Sequence, residues 1–434
     1  MRKKSLRFIS AALAVSMMAS TLPVGAFALE VGAGETTAAV SEQEAATSHR
    51  LEGGEIIGEG VANGTVYTLS GNYTKGITIE TKQDITINID DEVTITGVAK
   101  FLDVTGTGKV TINGTKDGAA QKIKMTTNFG EVGGDTGIVY LDAAGADVTC
   151  NGGDYYSVET GNVGSTYSVF CVKDGSLKLN KVIAEAGEST GVVDCGVYTT
   201  SSLATVEIHG GSFKASGFNS RVIHCGNKGT MTINNATLEM HNGGSYVLAA
   251  NGSSAELKIY SSTVIGENET SCVTVQHRGS FWAENCEFTS VGNQNYNGGL
   301  LYMLSGEATI KDSSYVAKQS GVNGIRTSYM LYGLNGPHKL TVENTEIKGC
   351  ENALSFGYDP DGSDIKLKNV TFEDNETDIY LENDENTPAN APQVKLDKGT
   401  KDTAGAITVE VENPANGVQI TTKTTDEDYQ QNLK

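Results

Sequence analysis

One short pattern recurs along most of this 434-residue chain: an apolar residue, any residue, a second apolar residue and then two polar residues. The segment "GTMTINNATL" at residues 229–238 is one copy. Successive copies lie 24 to 38 residues apart, most of them within 24 to 29. A unit of this size that returns so often indicates a repeat architecture. The first polar residue of each copy is Asn88, Asn113, Asn151, Asn180, His209, Asn234, Tyr260, Glu284, Lys311, Glu343 or Lys368.

Each repeat has the pattern of short β-strands. Apolar and polar residues alternate within each copy, which is the period of a strand, and Asn, Gly, Ser and Asp supply the turns. A second apolar run precedes each copy, as in "RVIHC" and "SCVTV". Each repeat therefore offers at least two strands, with room for a third, and no convincing helix.

Three architectures use a unit of this length. A leucine-rich repeat needs leucines at several fixed positions, whereas these units carry Ile, Val, Met, Phe and Cys. A β-sandwich does not return to the same register every 25 residues. A parallel β-helix fits best, because stacked coils bury a shared interior and pair each strand with its neighbours above and below. We predict an all-β fold, a parallel β-helix of about ten to eleven coils over residues 53–385.

The repeated coils resemble the right-handed parallel β-helix proteins of the pectate-lyase-like superfamily, over about residues 53–385. In character they are most similar to its bacterial secreted or surface adhesin-like members. The resemblance implies a right-handed solenoid. It does not imply one function, since that superfamily contains polysaccharide lyases, glycoside hydrolases, phage tailspikes and adhesins without catalytic activity.

Asparagines at the ends of the repeated strands have a structural explanation. Asn tolerates the left-handed backbone of a tight turn and can hydrogen-bond to the neighbouring coil. We therefore predict structural ladders at the Asn234-Asn235 pair and at Asn285, Asn344 and Asn369.

Segments outside the repeats predict export. Residues 1–28 combine a basic start, an apolar stretch and the small-residue site Ala26-Phe27-Ala28, which is typical of a secretory signal peptide. Residues 29–52 are rich in Ala, Glu, Thr and Ser and are predicted to be a flexible linker. Residues 386–434 contain prolines and short strands and are predicted to be a C-terminal cap or tail. We expect a secreted or extracellular protein that is either released or held non-covalently at the cell surface.

Charge narrows the range of partners. Removal of residues 1–28 leaves 28 basic against 53 acidic residues, a net charge of −25. A field of this sign repels nucleic acid and anionic lipid, so we predict no nucleic-acid binding and no membrane insertion. A polysaccharide, or a glycan or protein of a cell surface, is the expected partner.

Cysteine and acidic residues predict no obligatory cofactor. The seven cysteines lie mostly in apolar runs, where a free Cys acts as a small buried hydrophobe, and no zinc-like spacing occurs. Asp135, Asp142, Asp147 and Asp154 could bind calcium, although the same stretch equally suits a Gly-rich loop between coils.

One set of residues suggests acid–base chemistry. Alignment of "SVFCV", "VVDCG" and "VIHCG" on their cysteines, Cys171, Cys195 and Cys225, predicts that Phe170, Asp194 and His224 point outward on consecutive coils. His224 would then be the acid or base, Asp194 its partner, and Arg221 or Arg278 the group that neutralises a substrate carboxylate. The alternative is an ordinary Asp-His contact on an acidic surface, and we favour it. The candidate catalytic residues are Asp194, His224 and Arg221; the candidate substrate-binding residues are His277, Arg278, Tyr302, Arg326 and Tyr332.

The enzyme signatures of the superfamily are incomplete here. Polygalacturonase-like hydrolases carry N-T-D, D-D, G-H-G and R-x-K in that order, whereas this chain has "DD" at 90–91, "HGG" at 209–211 and "NTE" at 344–346. Tyrosines in or beside the loops, together with Trp282, suit contact with sugars instead. The sequence therefore favours a binding or adhesive scaffold, and a polysaccharide lyase or glycoside hydrolase is the alternative.

Overall fold

The described part of the chain consists of β-strands and turns. A computed structural model of the chain describes residues 48–127, 135–159, 167–188, 190–196, 203–217, 220–268, 270–291, 299–318, 321–328, 338–357, 363–381, 393–397, 399–411 and 419–422. The strands in these residues are β1 (His49–Arg50), β2 (Ile56–Ile57), β3 (Thr65–Tyr73), β4 (Ile77–Ile79), β5 (Ile85–Thr96), β6 (Lys100–Val104), β7 (Lys109–Asn113), β8 (Thr115–Lys116), β9 (Ala119–Ala120), β10 (Lys122–Thr127), β11 (Gly137–Asn151), β12 (Asp154–Glu159), β13 (Ser168–Ala186), β14 (Gly191–Cys195), β15 (Ala204–Ser216), β16 (Arg221–Cys225), β17 (Gly229–Asn234), β18 (Thr237–His241), β19 (Tyr246–Asn251), β20 (Glu256–Tyr260), β21 (Thr263–Glu267), β22 (Ser271–Gln276), β23 (Gly279–Glu284), β24 (Glu287–Val291), β25 (Gly299–Met303), β26 (Gly306–Lys311), β27 (Ser314–Ala317), β28 (Asn323–Thr327), β29 (His338–Glu343), β30 (Glu346–Lys348), β31 (Asn352–Phe356), β32 (Ser363–Lys368), β33 (Thr371–Glu373), β34 (Thr377–Leu381), β35 (Gln393–Leu396), β36 (Lys401–Asp402), β37 (Val409–Val411) and β38 (Gln419–Thr422).

Each coil contributes to three parallel ladders of strands. Ladder A contains β17, β20, β23, β26, β29 and β32; ladder B contains β18, β21, β24, β27, β30 and β33; ladder C contains β14, β16, β19, β22, β25, β28, β31 and β34. Longer strands such as β13 and β15 continue through a bend from one ladder into the next. Only the short hairpin of β8 and β9 is antiparallel among the described strands. The described chain is thus a parallel β-solenoid of about 10 turns without helix, which confirms the predicted fold class.

Strand register follows the repeat that the sequence shows. Every predicted repeat position pairs with the next one along ladder A, from Asn88 with Asn113 to Glu343 with Lys368. Coils that carry longer loops keep this register, so the intervals of 38 and 32 residues reflect insertions between strands. The third strand of each repeat, in ladder B, is also present.

A continuous apolar core fills the solenoid. Ile208, Ile233 and Ile259 are fully buried and lie on successive strands of ladder A. Tyr155 and Tyr315 are buried as predicted. All seven cysteines are free and buried, which confirms their role as small apolar residues.

Asparagines shape the bend between ladders A and B. Asn235, Asn285, Asn344 and Asn369 have positive φ angles of 50 to 56°, the left-handed backbone that Asn tolerates better than most residues. Asn369 Nδ2 donates to Asn344 Oδ1 at 2.9 Å, which links two successive coils. The predicted structural role of these asparagines is therefore confirmed.

Strand pairing extends beyond the predicted solenoid limits on both sides. β1, which lies in the predicted linker, pairs with β3 of the solenoid. In the predicted tail, β35 pairs with β32, β36 with β33, β37 with β34 and β38 with β35. The predicted signal peptide lies outside the described residues, as do residues 29–47 of the linker and much of the tail. The described part of the chain contains no helical segment with the length and apolar character that a membrane crossing requires.

Candidate functional site

Ladder C aligns four of the eight predicted site residues. Asp194 pairs in register with His224, and Tyr302 with Arg326. Between them, at the same register position on the two intervening coils, lie Ala249 and Thr274. We call this row the central column of ladder C; its members are Cys171, Asp194, His224, Ala249, Thr274, Tyr302, Arg326 and Ser355.

Asp194 is buried and fully engaged by Arg221. Arg221 Nε donates to Oδ1 at 2.9 Å and Nη2 donates to Oδ2 at 2.6 Å, a bidentate charge-assisted pair. Burial raises the pKa of Asp194, but the positive charge and hydrogen bonds of Arg221, with a smaller contribution from His224, outweigh it and leave this pKa below its usual range. The carboxylate therefore stays charged at neutral pH, with both oxygens occupied.

His224 is also largely enclosed. It is 8 % exposed, its Nδ1 lies 3.5 Å from Asp194 Oδ1, and its ring meets that of Tyr246 edge-on at 5.8 Å. On the other side, Asn251 Nδ2 lies 3.3 Å from His224 Nε2. Since an amide nitrogen can only donate, Nε2 is the acceptor and the ring proton of the neutral form sits on Nδ1, toward Asp194.

The predicted cysteine alignment is wrong by one residue at its first member. Cys195 pairs with Cys225 as predicted, but Cys171 pairs with Asp194, and it is Val172 that pairs with Cys195. Phe170 consequently does not point outward: it is fully buried and packs against Tyr155 in the core, with ring centroids 4.9 Å apart. His224 lies between the core residues Ile223 and Cys225 on β16 and is only 8 % exposed, so its contact with Asp194 is not on an open surface.

Asn251 connects His224 to His277 on the next coil. Its Oδ1 lies 2.6 Å from His277 Nδ1, and because an amide oxygen only accepts, Nδ1 is the donor. His277 and Arg278 form the turn after β22, with φ angles of 52° and 66°. Two successive residues other than Gly, Asn or Asp in this region cost about 1 kcal/mol or more each. The hydrogen bond that His277 donates to Asn251 helps to hold this turn.

Tyr302 and Arg326 form the open part of the central column. Both are partly exposed, whereas Asp194 and His224 are almost fully buried. Arg278 is exposed at the adjacent turn, and its backbone N–H donates to Ser305 Oγ at 3.1 Å. The remaining predicted binding residue, Tyr332, lies outside the described residues.

The four aspartates considered for calcium do not share one ladder, and Asp135 precedes β11. Asp147 and Asp154 lie on ladders A and B, while Asp135 pairs with Lys173, and Asp142 accepts a hydrogen bond from Tyr140 at 3.2 Å. Within the described ranges, no three His, Cys, Asp or Glu side chains are placed to hold a metal ion. Calcium binding by this segment stays a prediction.

Sequence reasoning missed two residues of the site, Asn251 and Tyr246. Both lie on β19, whose "SYVLAA" run contains no charged residue. Alignment of this run with "RVIHC" by repeat position places Ala249 opposite His224, and so brings Tyr246 and Asn251 of the same strand close to it. Comparisons with protein-family models, curated proteins and solved structures find no match to this chain.

Proposed function

We propose that this protein is a secreted or cell-surface β-solenoid that binds glycans or other cell-surface components. The observation that carries the proposal is the placement of Tyr302 and Arg326 side by side on adjacent coils, partly exposed, in the central column of ladder C. An aromatic face and a guanidinium are both suited to polyhydroxylated ligands, the first by apolar contact and the second by donating several hydrogen bonds.

The spacing of the solenoid supports a linear ligand. Neighbouring coils place equivalent side chains ~4.8 Å apart, so a chain that lies along the column meets a new side chain on every coil. Tyr380, also partly exposed, pairs with Ser355 and extends the same row beyond Arg326. The predicted signal peptide supports an extracellular location.

The burial of the acid–base residues favours binding over catalysis. Arg221 occupies both oxygens of Asp194, and Asn251 occupies the nitrogen through which neutral His224 would accept a proton. A general base needs a lone pair within reach of substrate. The alternative function, a β-helix polysaccharide lyase or glycoside hydrolase as in the pectate-lyase-like superfamily, rests on the contact between Asp194 and His224.

Binding to immobilised glycans and to whole cells tests the proposal. Tyr302→Ala and Arg326→Ala should each weaken binding at least about tenfold, which corresponds to ~1.4 kcal/mol. Tyr156→Ala on ladder B and Arg50→Ala on β1 are matched controls, because they remove the same side chains from other surfaces. Equal binding by all four variants, or no binding by the wild type, would refute the proposal.

A further inference from the structure

A second candidate binding surface lies along the bend between ladders A and B. Here the chain forms an open groove of about 800 Å³ that crosses five successive coils. Its floor is a row of exposed residues with left-handed backbone, namely Ser261, Asn285, Asp312, Asn344 and Asn369. This groove shares no residue with the central column of ladder C.

The side chains of the floor form hydrogen bonds that all point toward the earlier coil. Asn369 donates to Asn344 at 2.9 Å, and Asn344 donates to Asp312 Oδ1 at 2.9 Å. Further along, Asn285 Nδ2 donates to Ser261 Oγ at 3.0 Å. In each case the amide nitrogen of the asparagine donates to a residue of the row on the earlier coil, so its amide oxygen can accept a hydrogen bond from the next coil.

The row is interrupted between Asn285 and Asp312. Continuation of the pattern requires residue 312 to donate to Asn285 Oδ1, but an ionised aspartate has no hydrogen to donate. Asn285 and Asp312 follow residues that pair in register, so they lie on adjacent coils. Two acceptors therefore face the groove side by side, and a ligand that supplies donors can satisfy both.

The outward face of ladder A next to the groove carries two aromatic residues, which adjoin the groove without lining it. Tyr260 immediately precedes Ser261, and Trp282 lies two residues before Glu284 and so on the same face of β23. Both aromatic side chains are partly exposed. Trp282 Nε1 donates to Glu284 Oε2 at 3.3 Å, and Lys311 Nζ lies 5.0 Å from the centre of its ring.

We propose that this groove binds an uncharged, hydroxyl-rich polysaccharide chain lying along the solenoid. Sugar hydroxyls would donate to Asn285 Oδ1 and to the Asp312 carboxylate, while Tyr260 and Trp282 would provide apolar contact on the adjoining face of ladder A. The carboxylates of Glu287 and Glu346, at the ladder B side of the groove, disfavour an anionic polymer. The proposal does not rest on the ladder C surface, so either site can fail without the other.

Trp282 is the sole tryptophan of the chain and serves as a built-in reporter. We would titrate the wild type with neutral oligosaccharides of increasing length, such as β-linked glucose, xylose, mannose and N-acetylglucosamine series, and follow tryptophan emission. At least one series should give a saturable change whose affinity increases with chain length. Tyr302→Ala should retain this response, which separates the groove from the ladder C surface.

Asp312→Asn is the decisive variant because it supplies the missing donor to Asn285 and removes the charge. It should weaken the oligosaccharide response at least tenfold without lowering the thermal midpoint. Asp374→Asn is the matched control: Asp374 also has a left-handed backbone, with φ 54°, but lies outside the groove, and this variant should respond as the wild type does. The proposal is overturned if no neutral series changes the emission, if Asp312→Asn binds as tightly as the wild type, or if calcium alone gives the response.

Discussion

Arg221 and Asp194 form a bidentate ion pair across two adjacent coils, with N···O distances of 2.9 and 2.6 Å and a carboxylate that is 1 % exposed. A buried charge of this kind is tolerated only with its partner. The pair therefore fixes one coil against the next at the closed end of the central column.

Loss of Arg221 should be strongly destabilising. Arg221→Ala leaves Asp194 buried without its counter-charge, so we expect the free energy of unfolding to fall by about 3 to 5 kcal/mol. Arg50→Ala, which removes an exposed arginine from β1, should cost under about 1 kcal/mol. Thermal and urea unfolding at neutral pH compare the two variants; similar losses in both would contradict this account.

The stabilising contribution of the Arg221–Asp194 pair should depend on pH in a defined direction. The pKa of Asp194 is lower in the folded protein than in the unfolded chain, where it is about 3.9. Its stabilising contribution is therefore complete above about pH 4 and is lost as the pH falls through the lower, folded pKa. The wild type should therefore lose an increment of stability below about pH 4. In Arg221→Ala, burial acts on Asp194 without its main counter-charge, so the variant should instead gain stability as the pH falls from 7, and the difference between the two proteins should shrink with acidification.

His241 should make the solenoid more stable on mild acidification. Its Nε2 lies 3.0 Å from Glu239 Oε2 and its Nδ1 lies 3.0 Å from Glu267 Oε1, on the next coil. Burial lowers the pKa of His241, but hydrogen bonds and charge from these two glutamates outweigh it and raise the pKa above 6.5. A raised folded pKa gives stability that is complete below the unfolded pKa of about 6.5 and lost as the pH rises through the folded pKa.

Thermal midpoints of wild type and His241→Gln between pH 5 and pH 9 test this directly. The wild type should lose an increment of stability above pH 6.5 that His241→Gln lacks. Lys214, whose Nζ lies 2.9 Å from Glu239 Oε2, is present in both proteins. His209→Gln, in which a more exposed histidine is removed, should keep the wild-type profile. The same profile in all three proteins would refute the role of His241.

Asn344 should matter for its backbone as well as its hydrogen bonds. It has φ 50°, accepts from Asn369 and donates to Asp312. Asn344→Gly keeps the left-handed backbone accessible and loses only the side-chain bonds, whereas Asn344→Ala also incurs about 1 to 2 kcal/mol of backbone strain. We expect thermal midpoints in the order wild type, Gly, Ala; an alanine variant as stable as the glycine variant would contradict this.

A charge in the core should disrupt more than one coil. Ile233 is fully buried between Ile208 and Ile259, so Ile233→Asp places a carboxylate in an apolar interior shared by neighbouring coils. Far-ultraviolet circular dichroism should show loss of β-structure, and protease cleavage should spread beyond that coil. Thr232→Asp, at the partly exposed position next to it, is the control and should remain folded.

The sequence is informative about the fold because the repeat directly encodes strand register. The repeat positions from Asn88 to Lys368 can be identified from an alternating pattern and a recurring polar bend alone, and all of them pair as predicted. The same local chemistry accounts for Asn344 and Asn369, since a left-handed bend favours asparagine wherever it occurs.

The site was harder to predict because register in ladder C has no comparable marker. Alignment of the three cysteines with one another placed Cys171 one residue away from its register in the structure. In a strand, a shift of one residue moves a side chain to the opposite face, which is why Phe170 was wrongly predicted to point outward. The burial of Asp194 and His224, and the contact of His224 with Asn251, arise from neighbours distant in sequence that a single repeat unit does not reveal.

The central claim is that the exposed Tyr302–Arg326 end of the column binds a glycan and that the enclosed Asp194–His224 end does not cleave it. Incubation of the wild type with the polysaccharides it binds, with and without calcium, should yield no new reducing ends and no unsaturated products. His224→Ala should keep its binding, and Tyr302→Ala should lose it. Cleavage products that appear with the wild type and vanish with His224→Ala would contradict this account and identify the protein as an enzyme.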